Sequence, residues 1–318
     1  MFYPAGVPSC EQRNEALAAG LRVLPGSIPY TNRRRLNVGG RFDGMTLGEF
    51  LANRHPHIDA SLWRESLTGG RLELEGRVVR TLEQRIRGGN RLVHVIEGQV
   101  EPEVCPEVRF IHEDEDLVVL AKPAPLPVHP SGRFNKNTVL GLIASVFDDL
   151  QILPVHRLDA DTTGVLVLAK HPAAARGLGS QFEARTVGKR YLARVHGRSP
   201  RRFEGTAPIA RGPDSTGKRT TTSGASALTR FWTLCPGSQS LVAAWPRSGR
   251  TNQIRLHLRD AGHPIVGDRA YGPDADDQFQ SGGALCLHAD AIRLRHPVSD
   301  RRIRFDAPRP AWASEFFG

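Results

Sequence analysis

Long apolar runs are missing from this chain. None of its 318 residues opens a stretch of about 18 apolar side chains, so a membrane span is not expected. The first twenty residues, MFYPAGVPSCEQRNEALAAG, have no basic start followed by an apolar core. That argues against a secretory leader and makes the cytoplasm the expected compartment. Cysteine is scarce and scattered: Cys10, Cys105, Cys235 and Cys286 form no C-x-x-C spacing. Neither a zinc site nor a disulfide framework is expected, and buried free thiols are the simplest reading. A glycine-rich loop of phosphate-cradling spacing is also absent, so no nucleotide cofactor is expected. Lysine is nearly excluded as well, with 5 lysines against 38 arginines among 43 basic residues.

What is present is a core and a charge. With 39% hydrophobic and 24% charged residues the composition is that of a globular protein, and the length corresponds to about two domains. A net charge of +10 favours a polyanionic partner. Arginine offers planar bidentate contacts to phosphate and bases, although a GC-rich genome gives the same bias.

Four segments follow from the patterning. Residues 1–42 carry several Gly and Pro and the run NRRR, and read as an extension with little structure of its own. Residues 43–98 read as a small module. TLGEFLANRHP has Leu47, Phe50 and Leu51 at helical spacing with Thr46 as N-cap. In IDASLWRESLTGG, Leu62, Trp63 and Leu67 share a side, capped by Asp59 or Ser61. RLELEGRVV signals a hairpin around Glu75-Gly76, and GGNRLVHVIEG a closing strand. Arg64, Arg71, Arg77, Arg80, Arg85, Arg87 and Arg91 crowd this module. Residues 99–107 form a Glu- and Pro-rich linker. From 108 to 318 the β-type runs DLVVLAK, GVLVLAK, KRYLARVHG, SALTRFWTL, SLVAAWP, ADAIRLRHP and RRIRFDAP succeed one another, with helices near 138–147, 171–183 and 250–261. Such an order predicts an α+β fold with a largely antiparallel sheet.

Three stretches hold more polar groups than packing requires: HRLDADTTG at 156–164, GKRYLARVHG at 188–197 and SGRTNQIRLHLRDAGHPIVGDRAYG at 248–272. Asp159 and Asp161 stand before a strand of a type buried on both faces. A pair of carboxylates would suit acid–base work, as in glycoside hydrolysis, but D-x-D is common in loops. The arginines of 250–259 are a solvated helix face or the partners of those carboxylates. With no metal or phosphate-cradling pattern, the residues point to a cofactor-free reaction on a polyanion.

HRLDADTTGVLVLAK resembles the signature of the RluA-type pseudouridine synthases, close to H-R-L-D-x-x-T-S-G-L-L-L-x-A-K. DEDLVVLAKPAPLPVHPSG, GKRYLARVHG and GRTNQIRLHLRDAGHPIVGDRAYG resemble three further motifs of that family in the same order, so the resemblance covers about residues 105–315. Residues 43–98 resemble the small S-four-like RNA-binding domain that many members carry. Asn252 replaces the family's usual His, Pro125 its Gly and Thr163 its Ser. The resemblance implies a pseudouridine synthase fold with a large mixed, mostly antiparallel sheet and a small N-terminal α/β RNA-binding module. It implies an isomerase that converts uridine in RNA to pseudouridine without cofactor or metal. Asp159 becomes the essential carboxylate, Arg255 its ion-pair partner, and Tyr191 the residue that stacks on the base and handles the proton. Arg157, His129, Arg250, Thr251, Asn252 and Ile254 become substrate-binding residues. Arg64, Arg71, Arg77 and Arg80 become RNA contacts of the module. The expected partner is RNA, with ribosomal large-subunit RNA ahead of transfer RNA, acted on by a monomer. A catalytically silent RNA-binding assembly factor and a carboxylate-based glycosidase are the alternatives.

Overall fold

The structure, a computed structural model, describes residues 7–56, 58–147, 151–214, 217–273 and 283–317. The chain divides into two compact units. One runs from Gly26 to Pro102; the other takes the described residues up to Pro25 together with those from Glu103 onward. The smaller unit therefore starts well before residue 43. No described helix is long and apolar enough to cross a membrane.

Residues 1–42 are not the unstructured extension expected from their Gly and Pro content, residues 1–6 lying outside the described ones. Helix α1 (Cys10–Gly20) opens on a reciprocal capping box between Ser9 and Gln12. It buries only Leu17, and a long-range ion pair anchors it. Arg13 donates from Nε and Nη2 to Glu113 at 2.8 and 3.0 Å, and Lys170 donates to the same carboxylate at 2.9 Å. Glu113 is fully buried, so its charge needs those donors. The NRRR run is part of strand β1 (Tyr30–Asn37), whose Arg33, Arg34 and Arg35 are exposed between buried Asn32 and Leu36.

The smaller unit continues with α2 (Leu47–Arg54), α3 (Ala60–Thr68), β2 (Leu72–Leu74), β3 (Arg77–Val78) and β4 (Arg91–Gln99). Its sheet has the order β1-β4-β2-β3, antiparallel throughout. Thr46 caps α2 in a second capping box with Glu49, and Asp59 caps α3. Glu75 and Gly76 both have positive φ (49° and 79°), the two-residue turn that matches strand twist. Trp63 is buried against Leu47, Phe50 and Leu72 in the unit's core. Leu62, expected beside it, is 53% exposed, because so short a helix buries a single face.

The larger unit is built on β5 (Arg109–Glu113), β6 (Leu117–Lys122), α4 (Val139–Ile143), β7 (Leu153–Pro154), β8 (Thr163–Ala169), α5 (Pro172–Glu183), β9 (Gly188–His196), β10 (Arg202–Gly205), β11 (Thr229–Cys235), β12 (Gln239–Pro246), α6 (Gln253–Asp260), β13 (Leu287–Arg295), β14 (Arg302–Asp306) and α7 (Ala311–Ser314). Ten strands form one sheet in the order β10-β11-β12-β9-β13-β8-β6-β5, with β14 on β13 and β7 on β8. Among the described strands only β8 and β13 pair in parallel, so the sheet is mixed and mostly antiparallel, as predicted. The runs LVVL of β6 and VLVLA of β8 are buried throughout, each large side chain contributing about 1.5–3 kcal/mol. Gly164, the second residue of β8, has φ 118°, and a Cβ there would lie 2.2 Å from the Ala289 carbonyl oxygen. Glycine alone lets the strand meet β13 so closely, and that contact fixes where the preceding loop ends. Of the four cysteines, Cys286 is buried and the other three are partly exposed.

Candidate active site

The loop from His156 to Thr162 is held to the sheet from both ends. His156 accepts a hydrogen bond from the Val167 amide through Nε2 at 2.9 Å and stacks on Phe182 at 4.8 Å. Burial pushes its pKa down to about 3, so it is a neutral, structural acceptor. At the end of β6, Lys122 donates from Nζ to the carbonyls of Pro123, Leu126 and Ala160 at 2.8, 2.7 and 2.9 Å. The Leu126 amide donates to Ala160 as well, at 2.9 Å, and the Thr162 amide closes the turn on the Asp159 carbonyl at 3.1 Å. The backbone on either side of Asp159 is thus fixed. Its carboxylate is not: it makes no hydrogen bond or ion pair with any described residue. Asp161 is exposed and does not line the cleft that Asp159 lines, so the two acids are not a working pair.

Burial and the charges around Asp159 act on its protonation in opposite directions. Burial raises its pKa, while Arg255, Arg157 and Lys122 pull it down; burial prevails. Tyr191, on β9, is raised by burial and then by the charge of Asp159. Its phenol is therefore neutral at ordinary pH and makes no hydrogen bond among the described residues. Lys122 is pushed down to about 7 by burial, against the pull of Asp161 and Asp159. In the unfolded chain this amine stays protonated up to its ordinary value of 10.5. Between about pH 7 and 10.5 the unfolded state therefore binds more protons, and folding stability rises with pH. Denaturant midpoints of the wild type should climb across that interval relative to Lys122→Met. Parallel pH profiles for the two proteins would refute the assignment.

The cleft encloses about 430 Å³ and is lined by Asp159, Tyr191, Arg255, Arg157, Arg250, Thr251, Asn252 and Ile254. The three separated sequence stretches thus converge here. His129, named with them from the sequence, is not on its wall; it is partly buried with its pKa lowered by burial and by Arg157. Lys189, Arg185 and Arg247 also line the cleft, and sequence reading did not single them out. Lys189 lay within a quoted motif, whereas nothing marks Arg185 and Arg247 in a chain with so many arginines.

Arg255 departs from expectation. Its ion-pair partner is Asp268: Nε and Nη2 donate to the two carboxylate oxygens at 2.8 and 2.6 Å. Its Nη1 donates to Asn252 Oδ1 at 3.2 Å. Asp268 also accepts the Ala270 and Tyr271 amides, both at 3.0 Å. Asp159 feels the charge of Arg255 but forms no ion pair with it. Nor is α6 a solvated face: Gln253 to Leu258 are all buried. Gln253 holds the helix start, accepting from Ser248 Oγ at 2.7 Å and the Arg250 amide at 3.1 Å. Asn252, preceding it, has φ 57°, a left-handed conformation that asparagine tolerates and most residues do not.

Away from the cleft, Asp114, Asp116 and His296 lie close enough to share an ion. His296 Nδ1 accepts from the Ser299 amide at 3.1 Å, which places its proton on Nε2, aimed at Asp114 at 3.2 Å. His171 repeats the pattern, accepting from Ala174 at Nδ1 and facing Asp116 through Nε2 at 2.8 Å. The imidazoles are donors to the carboxylates, and a cation would have to displace those protons. In the smaller unit, Arg64, Arg77 and Arg80 are exposed and make no ion pair among the described residues, whereas Arg71 is half-buried and paired with Glu65 at 2.8 Å.

Comparison with known proteins gives this geometry its chemistry. The pattern of a family described as RNA pseudouridylate synthase matches residues 116–260, the segment from β6 to α6 that builds the cleft. An uncharacterized RNA pseudouridine synthase of Aquifex aeolicus is 35% identical over 285 residues, covering 83% of this chain and 90% of that one. The ribosomal large subunit pseudouridine synthase D of Nitrosomonas europaea is 33% identical over 306 residues, covering 90% and 87%. Among solved structures, human RNA pseudouridylate synthase domain containing 1 superimposes with a TM-score of 0.55 at 25% identity, covering 66% of this chain and 87% of that one. Sequence motifs, the ten-stranded mixed sheet and these relatives agree, and the chain belongs to the RNA pseudouridine synthase family, whose members isomerise uridine to pseudouridine in RNA.

Proposed function

We propose that this enzyme modifies uridine in large-subunit ribosomal RNA, with Asp159 as the group on which the reaction turns. The observation that carries this reading is the Asp159 carboxylate itself. It stands on a rigid loop, free of hydrogen bonds to described residues, in a cleft with Tyr191 and the fields of Arg255, Arg157 and Lys122. The glycosidic N1–C1′ bond breaks, the uracil turns, and C5 bonds to the same sugar carbon, with the C5 proton released and N1 left carrying a proton. A carboxylate next to the sugar serves as nucleophile or stabilises the charge that develops. Tyr191 enters the reaction as a neutral phenol, its ring available to the base and its oxygen to a proton relay.

To reach this cleft the uridine must leave its stack, at a cost of a few kcal/mol. Arg157 is exposed at the rim and is the side chain placed to fill the vacated space; Arg250, Thr251 and Asn252 hold the neighbouring backbone. We read the smaller unit, which contains residues 43–98, as an S-four-like RNA-binding module that adds phosphate contacts through Arg64, Arg77 and Arg80 and the arginines of β1. Ribosomal RNA as target is supported by the likeness to the ribosomal large subunit pseudouridine synthase D of Nitrosomonas europaea. The test is tritium release from transcripts labelled at uracil C5. Release from large-subunit ribosomal RNA and none from bulk transfer RNA is expected. Release from transfer RNA alone overturns the target, and release from neither overturns the activity.

A further inference from the structure

Beside the Asp159 cleft lies a second one, of about 550 Å³, that the mechanism above does not use. The two share Arg185, Val187, Lys189, Pro246 and Arg247 among their lining residues, so they lie side by side. The second cleft lies over the outer end of the sheet, on β10, β11 and β12. Trp232 points outward from β11, opposite Arg202 of β10 and the small Ala243 of β12. It is 40% exposed, and the Arg202 guanidinium lies over its ring, 4.4 Å from the centroid. Trp245 stands opposite Arg230 in the next cross-strand pair on that face, and two residues further on the chain reaches Arg247. Glu204 is the one carboxylate on the cleft wall, and Arg230 pairs with it at 2.9 Å.

We propose that Trp232 is a stacking platform for an unpaired nucleobase of the RNA strand next to the target uridine. The inference rests on the RNA substrate of the preceding section and extends it to a second subsite. An exposed tryptophan with one face taken by arginine and the surrounding charge positive is the combination that binds single-stranded nucleic acid. Arg185, Lys189 and Arg247 carry the positive charge from one cleft into the other, as a backbone threading both would require. Extruding the target removes a stacking partner from its neighbour. A platform one cleft away restores that partner, so the subsite favours RNA that is already opened. Stacking on tryptophan is indifferent to base identity, so this subsite reads strand state and leaves sequence to other contacts.

Binding of the full-length chain to two labelled probes, at one salt concentration, tests this. The first is a short oligouridylate and the second an RNA duplex of equal length. Trp232→Ala should weaken oligouridylate binding by about fivefold to a hundredfold, the range of one lost base–aromatic stack. Trp232→Phe should remain within about threefold of wild type, and both variants should bind the duplex like wild type. Equal affinity of Trp232→Ala and wild type for oligouridylate overturns the platform and leaves the synthase reading intact. An equal loss on both probes also overturns it, since that is a loss of charge or of fold. If Trp232→Ala changes the sedimentation of the protein and not its RNA affinity, the face is a protein interface and the proposal fails. A wild type that binds neither probe removes the RNA reading and the platform together.

Discussion

Asp159→Asn is expected to cut pseudouridine formation to less than about one thousandth of the wild-type rate, the scale on which losing a central catalytic group acts. The same substitution should leave RNA affinity within about threefold and raise thermal stability. The loss of activity follows from the position of the carboxylate in the cleft, where asparagine keeps the shape and removes the charge. The gain in stability follows from the shifted pKa. Burial holds Asp159 above its ordinary 3.8 in the folded state despite three nearby cations, so ionising it opposes folding. That penalty is present in full above the folded-state pKa and disappears as pH falls toward the unfolded value. Asparagine removes it, and breaks no hydrogen bond to a described residue in doing so. Each kcal/mol of relief moves the melting temperature by about 2–4 °C in a folding unit the size of the larger one, which holds Asp159. The stabilisation should therefore be visible at neutral pH and shrink on acidification. A variant that turns over normally defeats the assignment of Asp159; an inactive variant that melts lower than wild type shows the carboxylate to be a structural partner instead.

What the sequence disclosed and what it hid divide along physical lines. Strands such as VLVLA and LVVLA announce themselves because each is apolar on both faces, and α2 and α3 because their caps and apolar spacing are local. The hidden elements are those held from a distance. Helix α1 has one buried leucine and an ion pair to Glu113, so no periodicity records it. β10 is four residues long and lies at the sheet edge, and β7 is only two. At the site, Asp159, Tyr191 and the 250–255 stretch were legible because motif order ties them together. The partner of Arg255 was not, since both Asp159 and Asp268 are acids within reach of a folded chain and spacing cannot choose between them. The structure chooses Asp268 through two short parallel hydrogen bonds, the bidentate geometry that carboxylate and guanidinium favour.

That choice gives the second large expected effect, on Asp268. Arg255 and Asp268 are 8% and 5% exposed. Asp268→Ala removes both carboxylate oxygens that a buried guanidinium bonds and leaves two backbone amides without an acceptor, so it should cost about 3–5 kcal/mol. Arg255→Met should cost a similar amount by stranding the carboxylate. The double variant Arg255→Met with Asp268→Leu strands neither charge, and buried pairs replaced by apolar groups are often close to neutral. The Ala270 and Tyr271 amides still lose their acceptor, which leaves a residual cost of about 1–3 kcal/mol. A double-mutant cycle by chemical denaturation reads the coupling directly. The folded double variant then isolates what Arg255 does for catalysis. It is the foremost cation lowering the pKa of Asp159, so its removal should raise that pKa further. The acid limb of the rate profile should move to higher pH, with activity recovered in part as the solution is made more alkaline. A double variant with the wild-type pH profile would show that Arg255 only holds α6 to the Asp268 loop, and that Arg157 and Lys122 are the cations that offset the burial of Asp159.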